Sequence, residues 1–143
     1  MTLPEQERER FCQVLHHSRT SLYRLAFSIT QNSSDAQEAV AEAVCRAYER
    51  YPQLREKEKL PRWLLKITAN EARRLCQRRG RTVSWDDLPT EPAIPGRETG
   101  DDTLWQAVQT LPRDQREAVV LFYYEDLPTE EIARIVGTSP GAV

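Results

Sequence analysis

Arg62 to Arg79 is an eighteen-residue stretch with no proline or glycine, entered at Pro61 and left at Gly80. Those boundaries predict one long helix over Trp63 to Arg81, ending at Gly80. At about 100° per residue, Lys66, Asn70, Arg73 and Gln77 share one stripe, with Arg74 and Arg78 beside it. Leu65, Ala69, Ala72 and Cys76 take the opposite side, extended by Leu64 and Leu75. One face is built to be buried. The other is a basic strip with an amide in it and Glu71 at its edge.

Charge is concentrated there. Residues 59–81 hold eight Lys/Arg and one Glu, whereas residues 1–58 net −1 and residues 82–143 net −8. A solvated face and a polyanion-binding face share this pattern; a basic helix in a chain that is acidic overall favours the second.

Other classes are excluded by what the chain lacks. Its longest clean apolar run, Ala118 to Tyr124, is far short of the roughly 18–20 residues that span a bilayer, so no membrane span is expected. The charged N-terminus has no apolar core of a signal peptide, and a cytoplasmic location is expected. Cys12, Cys45 and Cys76 show no Cys-x-x-Cys spacing; buried free thiols are expected, and neither metal nor disulfides. His16 and His17 are adjacent and point apart, as surface residues do. Without a Ser/His/Asp set or a phosphate-binding Gly loop, no enzyme and no cofactor are expected.

Residues 5–30 read as a helix with Phe11, Val14, Leu15, Leu22, Leu25, Ala26 and Ile29 inward. Ser34 with Gln37 fits a capping box opening a second helix, with Asp35 in its first turn. Ala36, Val40, Ala43, Val44, Ala47 and Tyr48 form its buried face. Asp35, Glu38, Glu42 and Glu49 form an acidic outer stripe, which serves solubility or docking alike. Tyr51-Pro52 ends this helix, and Gln53 to Leu60 is a short charged connection with Tyr51 and Arg55 beside it. Thr82 to Gly100 is rich in proline and glycine and reads as a linker, with Trp85 and Leu88 packing locally. Asp101 or Asp102 caps a helix bearing Leu104, Trp105, Val108 and Leu111. Pro112 starts another, bearing Ala118, Val119, Leu121 and Phe122. Thr129 caps a short helix with Ile132, Ala133 and Val136 inward. Gly137 supplies a left-handed turn, and Ser139 caps the helix after it. Helix, Gly-containing turn and helix make a helix-turn-helix, with a generic helical hairpin as the alternative.

W-L-L-K-I-T-A-N at Trp63–Asn70 resembles the W-L-x-R-I-A-x-N segment of bacterial RNA polymerase sigma factors of the extracytoplasmic-function (ECF) class. D-A-Q-E-A-V-A-E-A-V-C-R-A-Y at Asp35–Tyr48 resembles their D-A-E-D-L-V-Q-E-T-F-L-R-A-W segment, with Ala41 departing where the family usually has Gln. Leu111 to Val143 resembles their −35-binding domain nearly position by position. The family continues past that point with a basic recognition helix, and here the sequence stops one turn into it.

The resemblance implies an all-α fold of two small helical domains joined by a flexible linker: 1–81 for core binding and −10 recognition, 82–101 as linker along the polymerase channels, and 102–143 as the helix-turn-helix. It implies transcription initiation with polymerase core. Asp35, Glu38, Glu42, Arg46 and Tyr48 would dock on the β′ clamp, and the second domain on the β flap. Promoter DNA at −10 would meet Tyr51, Arg55, Arg62, Trp63, Lys66, Asn70, Arg73, Arg74, Gln77 and Arg78, with one flipped base held by the 53–60 loop. DNA at −35 would meet Thr138, Ser139 and Gly141. An anti-sigma factor is a further implied partner. Two rival readings remain: a helix-turn-helix regulator acting without polymerase, and a helical protein-interaction module.

Overall fold

The computed structural model describes residues 4–79, 102–137 and 141. Its elements are α1 (Glu5–Thr30), α2 (Ser33–Arg50), two 3-10 turns at Tyr51–Gln53 and Lys57–Lys59, α3 (Leu60–Arg78), α4 (Asp102–Val108), α5 (Arg113–Val119) and α6 (Thr129–Val136). No strand occurs among the described residues. A wide π turn, Val120–Tyr124, continues α5. The predicted linker with Trp85 and Leu88, the Asp101/Asp102 cap side chains, Thr138 and the Ser139 cap lie outside the described residues and side chains.

Helices α1, α2 and α3 pack together. The α2 face that meets the other two is made of alanine: Ala36, Ala39, Ala43 and Ala47 are all at most 1% exposed. Alanine at these steps keeps one face narrow, so the larger chains of the neighbours, Phe11, Leu22, Leu25, Phe27, Leu60 and Leu64, fill the space between backbones. Val40, Val44 and Tyr48 lie at the margin, half-buried.

The α1–α2 turn is made differently from the expected capping box. Gln31 takes a left-handed conformation (φ 53°), and its N–H reaches Phe27 O at 2.8 Å. Asn32 is then the N-cap, its side-chain oxygen accepting from the Asp35 N–H at 2.9 Å. Ser34 lies inside the helix, because the helix begins two residues earlier than the sequence pattern indicates. Thr129 is likewise the first helical residue of α6, and Pro128 occupies the N-cap position, where Thr was expected. Gly137 behaves as predicted: its φ of 87° ends α6 with an N–H to Ala133 O bond of 2.8 Å.

The C-terminal helices pack back onto α1 and α3. Trp105, 1% exposed, sits against Phe27 and Tyr124 with ring centroids 6.2 and 5.7 Å away. Val120, Leu121 and Ile132 are fully buried in the same core. Of the cysteines, Cys76 is buried as expected, but Cys12 and Cys45 are exposed because they fall on the outer faces of α1 and α2.

The alanine face sets a test. Ala43→Leu forces side-chain volume into a fully packed seam and is expected to cost about 1–3 kcal/mol in urea unfolding. Ala41→Leu, on the exposed face, should stay within about 0.5 kcal/mol of the parent.

Candidate nucleic-acid interface

The first turns of α3 form one wall of an open cleft of about 450 Å³, closed on the other side by the end of α2 and the first 3-10 turn. Arg50, Gln53, Leu54 and Arg55 line it from one side, and Trp63, Lys66, Ile67 and Asn70 from the other. Arg55, Lys66 and Asn70 are exposed, and Trp63 is half-buried. The cleft therefore combines guanidinium and ammonium charge, an amide and an indole face, the groups that hold an unstacked base and its phosphate. Arg50, Gln53, Leu54 and Ile67 were not singled out from the sequence. Their signal was the Tyr-Pro break, which turns the chain back so that the end of α2 faces the start of α3.

Tyr51 departs from the expectation. It is fully buried, its ring edge-on to Phe11 at 5.4 Å. Lys57 covers the ring from 4.1 Å and donates to the Tyr51 carbonyl at 2.6 Å. Burial, and then the neighbouring Glu7 carboxylate, push its phenol above the ordinary value. Tyr51 is the floor beneath the connection; Trp63 is the aromatic in the cleft.

Further along α3 the strip is divided. Arg74, Gln77 and Arg78 are exposed. Glu71 is buried and bridges Arg46 of α2 at 2.8 Å and Arg74 at 3.3 Å, so it joins two helices and does not merely edge the strip. Arg73 reaches across to the C-terminal helices. Its Nη2 donates to Glu117 Oε1 at 2.5 Å and to Ile135 O at 2.9 Å, while Nη1 donates to Asn70 Oδ1 at 3.2 Å. Asn70 thus offers its NH2 donor outward while its oxygen is engaged. Arg62 faces Glu131 at 3.4 Å.

The acidic stripe is also divided. Glu38 and Glu42 are exposed. Asp35 is only 3% exposed and pairs with Arg79, so it does not face solvent beside them. The reason is topological: the C-terminal end of α3 lies beside the N-terminal end of α2, and Asp35, in the first turn, meets the arginine that follows α3. Arg79 and Arg78 both reach Glu38, at 2.8 and 3.6 Å. Arg46 and Tyr48 are half-buried, Arg46 on Glu71 and Tyr48 edge-on to Phe11. Of the three C-terminal positions proposed for DNA, Gly141 is exposed. No group of three or more candidate metal ligands occurs among the described residues, and no described helix is long and apolar enough to cross a membrane.

Two carboxylates at the contact between the N- and C-terminal helices titrate high. Burial raises Glu117 above its ordinary 4.5, against the pull of Arg73. Burial raises Glu125 likewise, against Ser21 and Arg24. A carboxylate with a raised folded-state pKa holds its proton more tightly folded than unfolded. Its stabilising contribution is present at low pH and fades as pH rises above 4.5 through the folded value. Unfolding midpoints measured across that window should therefore fall less steeply with pH in Glu117→Gln and Glu125→Gln than in the parent. Parallel slopes would show that neither carboxylate is desolvated by folding.

Comparison with known proteins agrees with both halves of this geometry. Residues 14–82 match the family model "Sigma-70 region 2", and residues 101–143 match "Sigma-70, region 4". The chain is 31% identical over 127 residues to RNA polymerase sigma factor SigV of Bacillus subtilis, covering 87% of this chain and 76% of that protein. It is 32% identical over 132 residues to ECF RNA polymerase sigma factor SigE of Mycolicibacterium smegmatis, covering 85% and 51%. The fold matches that of sigma factor RpoE from Bartonella quintana, solved in complex with the anti-sigma factor NepR, with a TM-score of 0.73, 24% identity, and coverage of 92% of this chain and 86% of that one. With a region 2 carrying a basic cleft-forming helix, a region 4 after it, and a relative of this identity matched over three quarters of its length, the chain belongs to the RNA polymerase sigma factors of the ECF class.

Proposed function

We propose that this sigma factor joins polymerase core through the exposed part of α2 and captures melted −10 promoter DNA along α3. The observation that carries the reading is the cleft at the start of α3. Trp63 offers a stacking face there, Asn70 an outward amide, and Arg50, Arg55 and Lys66 the charge for the adjoining phosphates. An α-helix flanked by such a cleft suits a single strand with one base turned out better than an intact duplex.

Roles divide by chemistry. Lys66, Arg74 and Arg78 neutralise phosphate, Gln77 and Asn70 address base edges, and Trp63 and Arg55 hold the unstacked base. On α2, Glu38 and Glu42 are the acids available to a basic surface such as the β′ clamp, while Asp35, Arg46 and Tyr48 hold that helix in place. Region 4 would add the β flap and the −35 element as partners. An anti-sigma factor would act on the same molecule. The work is recognition and strand capture, with no covalent step.

Asn70→Ala should relax base preference in open-complex formation. Lys66→Ala should weaken every promoter alike and lower the slope of log affinity against log salt by about one charge. An equal, sequence-independent loss from both would remove Asn70 from base reading. For the polymerase face, reversing Glu38 and Glu42 to Lys should weaken core binding about tenfold or more in titration, because like charges then meet. Undiminished affinity would move the docking surface elsewhere.

A further inference from the structure

Stacking on Trp63 does not choose between bases, since every base has a π face. Choice falls to the polar side chains around the cleft, and these are biased. Arg50, Arg55 and Lys66 carry N–H donors only, and so does the Trp63 indole. Gln53 carries a donor and an acceptor. No described acid lines the cleft. Glu56, on the connection beside it, is paired with Lys59 at 3.3 Å.

Asn70 would be neutral in this balance if its amide were free to turn over. It is held instead, because Arg73 Nη1 donates to its Oδ1 at 3.2 Å. The two residues are three positions apart on one helix, so the helix itself brings them together. A reversed amide would set its NH2 against the guanidinium, donor against donor. The end of Asn70 left for a ligand is therefore the NH2, and Asn70 joins the donors.

Bases differ in what they return to such a rim. Guanine, cytosine and thymine each carry a carbonyl oxygen. Adenine carries none and presents an amino group at C6. Guanine O6 and N7 together accept a two-donor fork. The adenine amino group set against the same donors leaves N–H groups on both sides without acceptors once water is displaced.

We propose that the cleft selects an unstacked base bearing a ring carbonyl and rejects adenine, and that Arg73 is the positioning residue for this choice, through its hold on Asn70 Oδ1. The proposal rests on reading the cleft as the seat of a base turned out from the −10 strand. Arg73 acts through Asn70: it decides which end of the amide meets the base.

The probe is a short fluorescein-labelled strand of abasic nucleotides with a single base at its centre. It is bound to the holoenzyme formed with polymerase core, and binding is read by anisotropy. The base is adenine or hypoxanthine, the same bicycle with a carbonyl at C6 in place of the amino group. Hypoxanthine is expected to bind about tenfold more tightly. Equal affinities, or a preference for adenine, overturn the proposal. Asn70→Asp puts an acceptor where the NH2 stood. Its added charge weakens every probe alike, but the order of the two bases should reverse; an order that stays removes Asn70 as the selecting group. Arg73→Met lowers affinity for every strand through lost charge and should also bring the hypoxanthine-to-adenine ratio toward one. A ratio that keeps its parent value overturns the positioning role. Should Arg73→Met lose helicity by circular dichroism, Glu117→Met is added, so that no buried carboxylate is left without its partner. A fully abasic strand separates the two levels of inference. If both bases bind more tightly than it, and Trp63→Ala removes that gain, the cleft holds a base, and equal affinities for the two then sink the selection alone. If a base adds nothing over the abasic strand, the cleft is not its seat, and the reading and the proposal fall together.

Discussion

The close approach of α2 to α1 and α3 through Ala36, Ala39, Ala43 and Ala47 is the constraint on which the rest depends. Because that seam is narrow, the three helices enclose Phe11, Phe27, Leu60 and Leu64 with little else to fill. It also fixes which side of α3 is left outside. Once Leu64, Thr68, Ala72 and Leu75 are buried, Lys66, Asn70 and Arg74 have nowhere to go but outward. The basic strip is thus a by-product of packing as much as of its own composition. The buried Glu71, gripping Arg46, locks the rotation of α3 against α2 and so keeps the cleft residues in register with one another.

Guanidinium chemistry fits one side chain to more than one kind of acceptor. The planar group donates through five N–H bonds to a carboxylate, a backbone carbonyl or a phosphate with similar geometry. Arg73 shows this directly, holding Glu117, Ile135 O and Asn70 Oδ1 together. The pairing is not a source of great stability, since burial raises the Glu117 pKa despite the adjacent charge. A contact that is specific in geometry and modest in energy is suited to being exchanged.

Much of this was legible in the sequence. The 3.6-residue recurrence of apolar residues located α1, α2 and α3, and Gly137 marked its left-handed turn. Local patterns failed where two local solutions competed. Asn32 and Ser34 are both good caps, and only the geometry of the turn after Gln31 selects Asn32. Asp35 and Tyr51 look like surface residues by composition; the one is buried by Arg79, forty-four positions away, and the other by Phe11 at the opposite end of the fold unit. The pairs Arg24–Glu125, Arg116–Ser28 and Arg73–Glu117 could not be read at all. Nothing local to either member signals the other, and each residue alone has an ordinary surface composition.

Helix α1 carries a consequence of its own. At 26 residues it is a rod of roughly 39 Å. Its N-terminal part supplies Phe11 beneath Tyr51, and its C-terminal part supplies Arg24, Phe27 and Ser28 to the second unit. One secondary-structure element therefore belongs to both halves, and the halves are not interchangeable modules. A chimera that exchanged region 4 between relatives would inherit α1 from one ancestor and its counterparts from another. Matched charges at 24 and 125, and at 73 and 117, would have to travel together for the exchanged half to keep its seat on α1 and α3.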